Sequence, residues 1–271
     1  MDIHKKSIII GGLFFYFFSL ANCAVASELL TGAYQMDGKS WNVSVYGGQS
    51  RIKPVITMEN SGSIHVPVSG GGTQDIFVSN GADQKMTADQ QNMVASIEIR
   101  PRDGLVYRLK AGTVQSYSVA YDSGSIVNNL QATRPGILWG MGLRWNVTQA
   151  TPVSTAFSFD LGYTRTDLTL DKFQSNGQTE ASDIHWSQDE FQLAFMGSRR
   201  IKRVEPYAGI KIARLYSALT GNDTKGRLKG QVDEASALVG AKIEMFDREY
   251  VTVEGSWFDE KSLHAGFNLS F

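Results

Sequence analysis

The chain has 271 residues, 26 basic and 27 acidic side chains, a formal net charge of −1, 42% hydrophobic residues and a mildly polar mean hydropathy of −0.19. That charge balance excludes the basic footprint of a nucleic-acid binder, and one cysteine, Cys23, excludes a disulfide framework. Beyond the first 26 residues, no apolar run approaches the ~20 residues of a spanning helix.

At the start, Lys5 and Lys6 precede an apolar run from Ile8 to about Leu20, and Ala24-Val25-Ala26 precedes Ser27. A basic region, an apolar core and an A-x-A site predict a secretory signal over 1–26, with Ala24 and Ala26 as the cleavage determinants. Lipidation at Cys23 is the competing reading, and Asn22 fits that site poorly. Both readings export the chain and leave 27–271 as one domain.

From Trp41 onward the sequence alternates at strand period. Trp41 to Gly48 is the first segment. Residues 50–91 follow as a long loop or plug with short strand-like runs at 64–68 and 76–78. Next come Met93 to Arg100, Leu105 to Tyr121, Ile137 to Val147, Ala156 to Tyr163, Asp189 to Gly197, Pro206 to Arg214, Ala235 to Phe246, Tyr250 to Phe258 and Lys261 to Phe271. The expected fold is all-β, an antiparallel up-and-down barrel of about ten strands, with eight or twelve as alternatives according to how 50–91 is used.

Connections of two kinds alternate along the chain. Residues 101–104, 148–152, 199–203 and 247–249 are tight and rich in turn formers and charge. Residues 50–91, 122–135, 174–187 and 220–231 are longer and polar, and 259–261 is a short connection on the long side.

One face of the segments is apolar. The other collects Glu98, Arg100, Arg108, Lys110, Arg144, Asp160, Glu190, Lys211, Lys242, Glu244, Glu254 and His264. In a narrow barrel this face points inward and is expected to form a paired polar core. Gly140, Gly142, Gly162, Gly209, Gly240 and Gly266 share it and leave inward space. Trp139, Trp145, Tyr163, Trp186, Tyr250, Trp257 and Phe271 are expected near the strand ends as an aromatic belt.

The last segment places Phe267, Leu269 and the terminal Phe271 on the apolar face. It resembles the closing strand of bacterial outer-membrane β-barrels, and the chain as a whole resembles the small opacity-protein-like surface barrels. The resemblance implies a Gram-negative outer-membrane location and a monomer in contact with membrane lipid and lipopolysaccharide. It also implies recognition of Phe267, Leu269 and Phe271 by the barrel-insertion machinery, and loops that meet an external protein or cell-surface ligand. A narrow channel is the alternative function. Asp183-Ile-His185 resembles the Asp-x-His element of the omptin proteases over three residues, without a matching Asp-x-Asp, so Asp183 and His185 are weak catalytic candidates. His264 with Ser262 or Ser270 does not make the His-x-Ser motif of the lipid A deacylases. No metal-ligand spacing, phosphate loop or nucleophile elbow occurs, and no cofactor is expected.

Overall fold

The computed structural model describes residues 41–271, except 53–54, 59–61, 69–71, 79–82, 103, 123–126, 149–153, 176–177, 222–223, 226–227 and 247. The expected signal, with Ala24, Ala26 and Cys23, lies outside the described residues. The strands are β1 (Trp41–Ile52), β2 (Val55–Met58), β3 (Gly62–Val68), β4 (Gly72–Val78), β5 (Asp83–Arg102), β6 (Leu105–Asp122), β7 (Val127–Ala132), β8 (Gly136–Asn146), β9 (Ala156–Ser175), β10 (Gln178–Ser198), β11 (Val204–Gly221), β12 (Thr224–Lys225), β13 (Leu228–Phe246), β14 (Glu249–Phe258) and β15 (Glu260–Ser270).

Ten of them, β1, β5, β6, β8, β9, β10, β11, β13, β14 and β15, form a closed antiparallel barrel. Closure is made by β1 against β15, from Asn42↔Ser270 to Ile52↔Glu260. The seam continues one residue further, because the Phe271 N–H donates to the Trp41 carbonyl at 3.1 Å and the two rings stack at 4.5 Å. Such a stack contributes about 0.5–1.5 kcal/mol beyond its burial. Phe271→Ala is therefore expected to cost little in equilibrium stability while lowering the yield of heat-modifiable barrel several-fold in cells. Unchanged yield and gel mobility would remove the assembly role of Phe271.

The wall has two storeys. Near the tight turns the outer face is apolar: Leu109, Leu161, Leu193 and Ile210 are exposed, Ile210 to 61%. On β9 this band covers Phe157, Phe159, Leu161 and Tyr163 and stops at Arg165; on β11 it runs through Ile210 and Ile212 and stops at Arg214. About eight to ten residues at ~3.3 Å each, tilted by ~40°, make a band ~20–25 Å high. Three Arg–Asp pairs mark its upper edge on the outside: Arg51–Asp89 between β1 and β5 at 2.7 Å, Arg165–Asp189 between β9 and β10 at 3.2 Å, and Arg214–Asp233 between β11 and β13. The hydrogen bonds from Arg214 hold the Asp233 carboxyl below its ordinary range.

Above these pairs the strand roster changes. The β14–β15 hairpin ends early, and β2 takes its place, pairing with β5 at Val55↔Lys85 and with β13 at Gly230↔Met58. On the other side β8 begins only at Gly136, and above it β7 pairs with both β6 and β9. The upper storey is thus closed by eight strands: β2, β5, β6, β7, β9, β10, β11 and β13. Its polarity is reversed. Leu138, Leu168, Leu170, Phe173, Ile184, Trp186 and Leu219 form one buried cluster inside with Val94, Val114, Tyr117, Val119 and Leu130, and Tyr46 at its floor. Outside stand Thr113, Gln115, Asp183, His185, Lys229 and Asp233, all exposed. Among the outward groups, Asp171 would be raised by its partial burial, but hydrogen bonds from Thr133 (the backbone N–H at 2.7 Å and the hydroxyl) hold its carboxyl below the ordinary range.

Segment 50–91 contributes the upper end of β1, the bridging strand β2, the β3–β4 hairpin and the first residues of β5. The hairpin forms a separate three-stranded sheet with β12.

Candidate functional site

The interior of the lower storey is a charge network held by strands whose alternate residues point inward. Arg108 on β6 donates to Glu98 on β5 at 3.0 Å and to Asp160 on β9 at 3.2 Å. Arg144 on β8 reaches the same Asp160 oxygen at 2.7 Å through Nη2 and 3.0 Å through Nε. Asp160, 1% exposed, thus carries two guanidinium groups on one buried carboxylate. The Asn42 side-chain amide donates to Glu98 at 3.3 Å, tying the group to β1.

A second knot lies on the opposite wall. Lys211 on β11 bonds Glu260 at 2.6 Å and approaches Glu190 on β10 at 3.7 Å. The Tyr207 hydroxyl donates to Glu254 at 2.9 Å, and Glu254 stands directly across from His264 in the β14–β15 register. His264 is fully buried; its Nε2 meets the Ser262 hydroxyl at 3.1 Å, and Ser262 meets Ser256 at 2.7 Å. A serine and a histidine in contact look like a nucleophile and its base, but this pair is sealed inside the barrel. Lys110 donates to Thr164.

The inward glycines are where neighbouring side chains lie. A Cβ on Gly140 would fall 2.2 Å from Cε of Lys110, and one on Gly240 would fall 2.4 Å from the Tyr207 hydroxyl. The inward space expected at these two glycines is therefore occupied by the long chains of the adjacent strand. Buried charges require such close partners, since an uncompensated one costs several kcal/mol.

Towards the tight turns the network ends at an open mouth. Arg200 pairs with Glu244 at 2.9 Å, Nζ of Lys242 lies 4.2 Å from the centre of the Tyr250 ring, and Glu205 accepts a hydrogen bond from Ser198. Arg100 is half-buried near the same end of β5. The Arg199–Arg203 turn, with Lys202 at φ +56°, forms one lip.

Three placements differ from the sequence reading. Trp186 and Tyr250 do not join an outer belt: Trp186 is 2% exposed inside the upper storey, against Tyr117 at 5.7 Å, and Tyr250 faces the lumen mouth. Asp183 and His185 lie not in a loop but on the outer wall of β10, where Nε2 of His185 is 3.5 Å from Asp167 rather than paired with Asp183. Three inward carboxylates, Glu205, Glu234 and Glu260, were absent from the expected set. Each sits within a residue of an expected strand boundary, so extending each segment by one or two residues in the same parity finds all three. No group of three or more His, Cys, Asp or Glu suited to a metal occurs among the described residues.

No family model and no curated protein matches the chain. Among solved structures it is similar to the translocator domain of the autotransporter NalP from Neisseria meningitidis, at 12% identity over 87% of this chain and 90% of that one, with a TM-score of 0.44. It is also similar to the outer membrane protein OprG from Pseudomonas aeruginosa, at 10% identity over 88% and 99% with a TM-score of 0.41. A third is an outer membrane channel from Pseudomonas putida F1, at 11% identity over 90% and 100% with a TM-score of 0.38. Likeness at this level assigns neither a family nor an activity.

Proposed function

We propose that the chain is an integral outer-membrane barrel with a filled lumen, a non-enzymatic surface protein whose upper storey and long connections meet external partners. The observation that carries this reading is the reversal of polarity along the wall. Below the Arg–Asp pairs, oily residues face out and charges face in, which suits lipid; above them, oily residues face in and polar ones out, which suits water. The band height fits a bilayer, and the short turns at its lower end fit the periplasmic side.

Two materials fill the lumen in series, a charge network below and an apolar core above. Ions crossing it would have to break the first and wet the second. Purified protein in planar bilayers is therefore expected to give no stepwise conductance at either polarity. Steady currents that change when Arg108 or Lys242 is neutralised would replace this reading with the narrow channel. Labelling of intact cells is expected to reach exposed upper-storey positions such as Lys229, and failure to do so would count against surface display.

A further inference from the structure

The β10–β11 turn, Arg199-Arg200-Ile201-Lys202-Arg203, puts four basic residues in five at the lower edge of the wall. The register sorts them by face. Gly197 pairs with Ala208, the Arg199 N–H donates to the Pro206 carbonyl at 3.2 Å, and Ile201 and Val204 exchange backbone hydrogen bonds at 2.7 and 3.0 Å. Alternation therefore sets Arg199, Ile201 and Val204 on the outward face that carries Phe195 and Ile210 higher up, while Arg200 turns inward to Glu244. Ile201 is 55% exposed although cations surround it in sequence. Lys202 and Arg203 at the tip are exposed as well, and neither side chain makes an ion pair or hydrogen bond among the described residues. On the neighbouring β13–β14 turn, Arg248 is flanked in sequence by Asp247 and Glu249, so the excess positive charge belongs to the β10–β11 turn.

We propose that this turn docks the headgroup of an anionic phospholipid. The inference rests on the reading above, in which the apolar band lies in a membrane and this turn stands at its lower edge. Down the outer wall come Phe195 and Ile210, then Arg199 beside Ile201 and Val204, then Lys202 and Arg203 in water. A phospholipid offers the matching sequence of acyl chain, phosphate and solvent. From its place Arg199 would lay its stem along the band and carry its charge to the phosphate level, as long basic side chains do at membrane edges. Lys202 would meet the phosphate as a point charge and Arg203 as a two-pronged donor. An acidic protein would also match the cations, but Ile201 and Val204 continue the lipid-facing band, which favours lipid. With the short turns periplasmic, the lipid belongs to the inner leaflet; binding itself does not depend on that direction.

The test is native mass spectrometry of the full chain in detergent, incubated with phosphatidylglycerol or with phosphatidylethanolamine of the same acyl chains. Phosphatidylglycerol is expected to be retained at least about fivefold better, since each basic residue near an anionic surface adds attraction of that order. A Lys202→Gln, Arg203→Gln double variant should lower the preference to under about twofold, and raised salt during incubation should do the same. An Arg134→Gln, Lys172→Gln variant removes two exposed charges from the upper storey and is expected to keep the parent's preference. Heat-modifiable mobility checks that each variant is folded. The site falls if the parent retains both lipids equally, or if the upper-storey variant loses as much as the turn variant. It also falls if inorganic phosphate displaces the lipid at millimolar concentration, because free phosphate is then the ligand. Each of these results leaves the membrane barrel standing, whereas a chain that stays dispersed in buffer without detergent removes both readings.

Discussion

Asp160→Ala is expected to destabilise the barrel by about 3–5 kcal/mol, the usual cost of removing one partner from a buried ion pair. Asp160 accepts from both Arg108 and Arg144, so its loss takes a carboxylate from two buried guanidinium groups at once, while Arg108 keeps Glu98. For a domain stable by about 5–15 kcal/mol this is a large fraction of the whole. Denaturant unfolding in detergent, followed by heat-modifiable mobility, measures it. Asp160→Asn should fall between parent and alanine because it keeps acceptor capacity without charge. A combined Arg108→Met, Arg144→Met, Asp160→Leu variant should recover much of the loss, because replacing a whole buried ionic group by apolar side chains is often neutral or stabilising. A loss under about 1 kcal/mol for Asp160→Ala would mean that water, rather than protein, compensates these charges.

Trp186→Ala is expected to cost a similar ~3–5 kcal/mol through the cavity it leaves, with a different outcome. Trp186 packs in the apolar cluster of the upper storey, away from the charge network below. Limited proteolysis should then cut β9 and β10 above the Arg165–Asp189 pair while the lower storey keeps its heat-modifiable mobility. If both storeys open together, they form one cooperative unit, and the division at the Arg–Asp pairs is chemical without being mechanical.

Alternation makes the lower storey legible in the sequence. Phe157, Phe159, Leu161 and Tyr163 against Ser158, Asp160 and Gly162 is a pattern that strand period explains and helix period does not. The upper storey is harder to read for a physical reason. Asp167-Leu168-Thr169-Leu170-Asp171 alternates just as regularly, but its apolar residues occupy the parity that faces inward. A rule tuned to oily-out strands reads such stretches as polar connection, so 174–187 and 220–231 look like loops although β10 begins at Gln178 and β11 ends at Gly221. Which charges share the lumen follows from parity. Which partner each one takes does not, because Arg108 meets Asp160 only through the stagger of β6, β8 and β9, and stagger is a property of the closed sheet.

The β1–β15 seam also bears on the order of events in folding. Every other lower-storey strand pairing joins strands adjacent in sequence or separated by the inserts β2–β4, β7 and β12, whereas Asn42 meets Ser270 across nearly the whole chain. Bringing such distant strands together is entropically slow, so this pairing is the natural last step. Until it forms, the sheet has two open edges, one on the first strand and one on the last, and open edges recruit other chains. The time the protein spends before closure, more than the strength of any single contact, sets its exposure to aggregation during export.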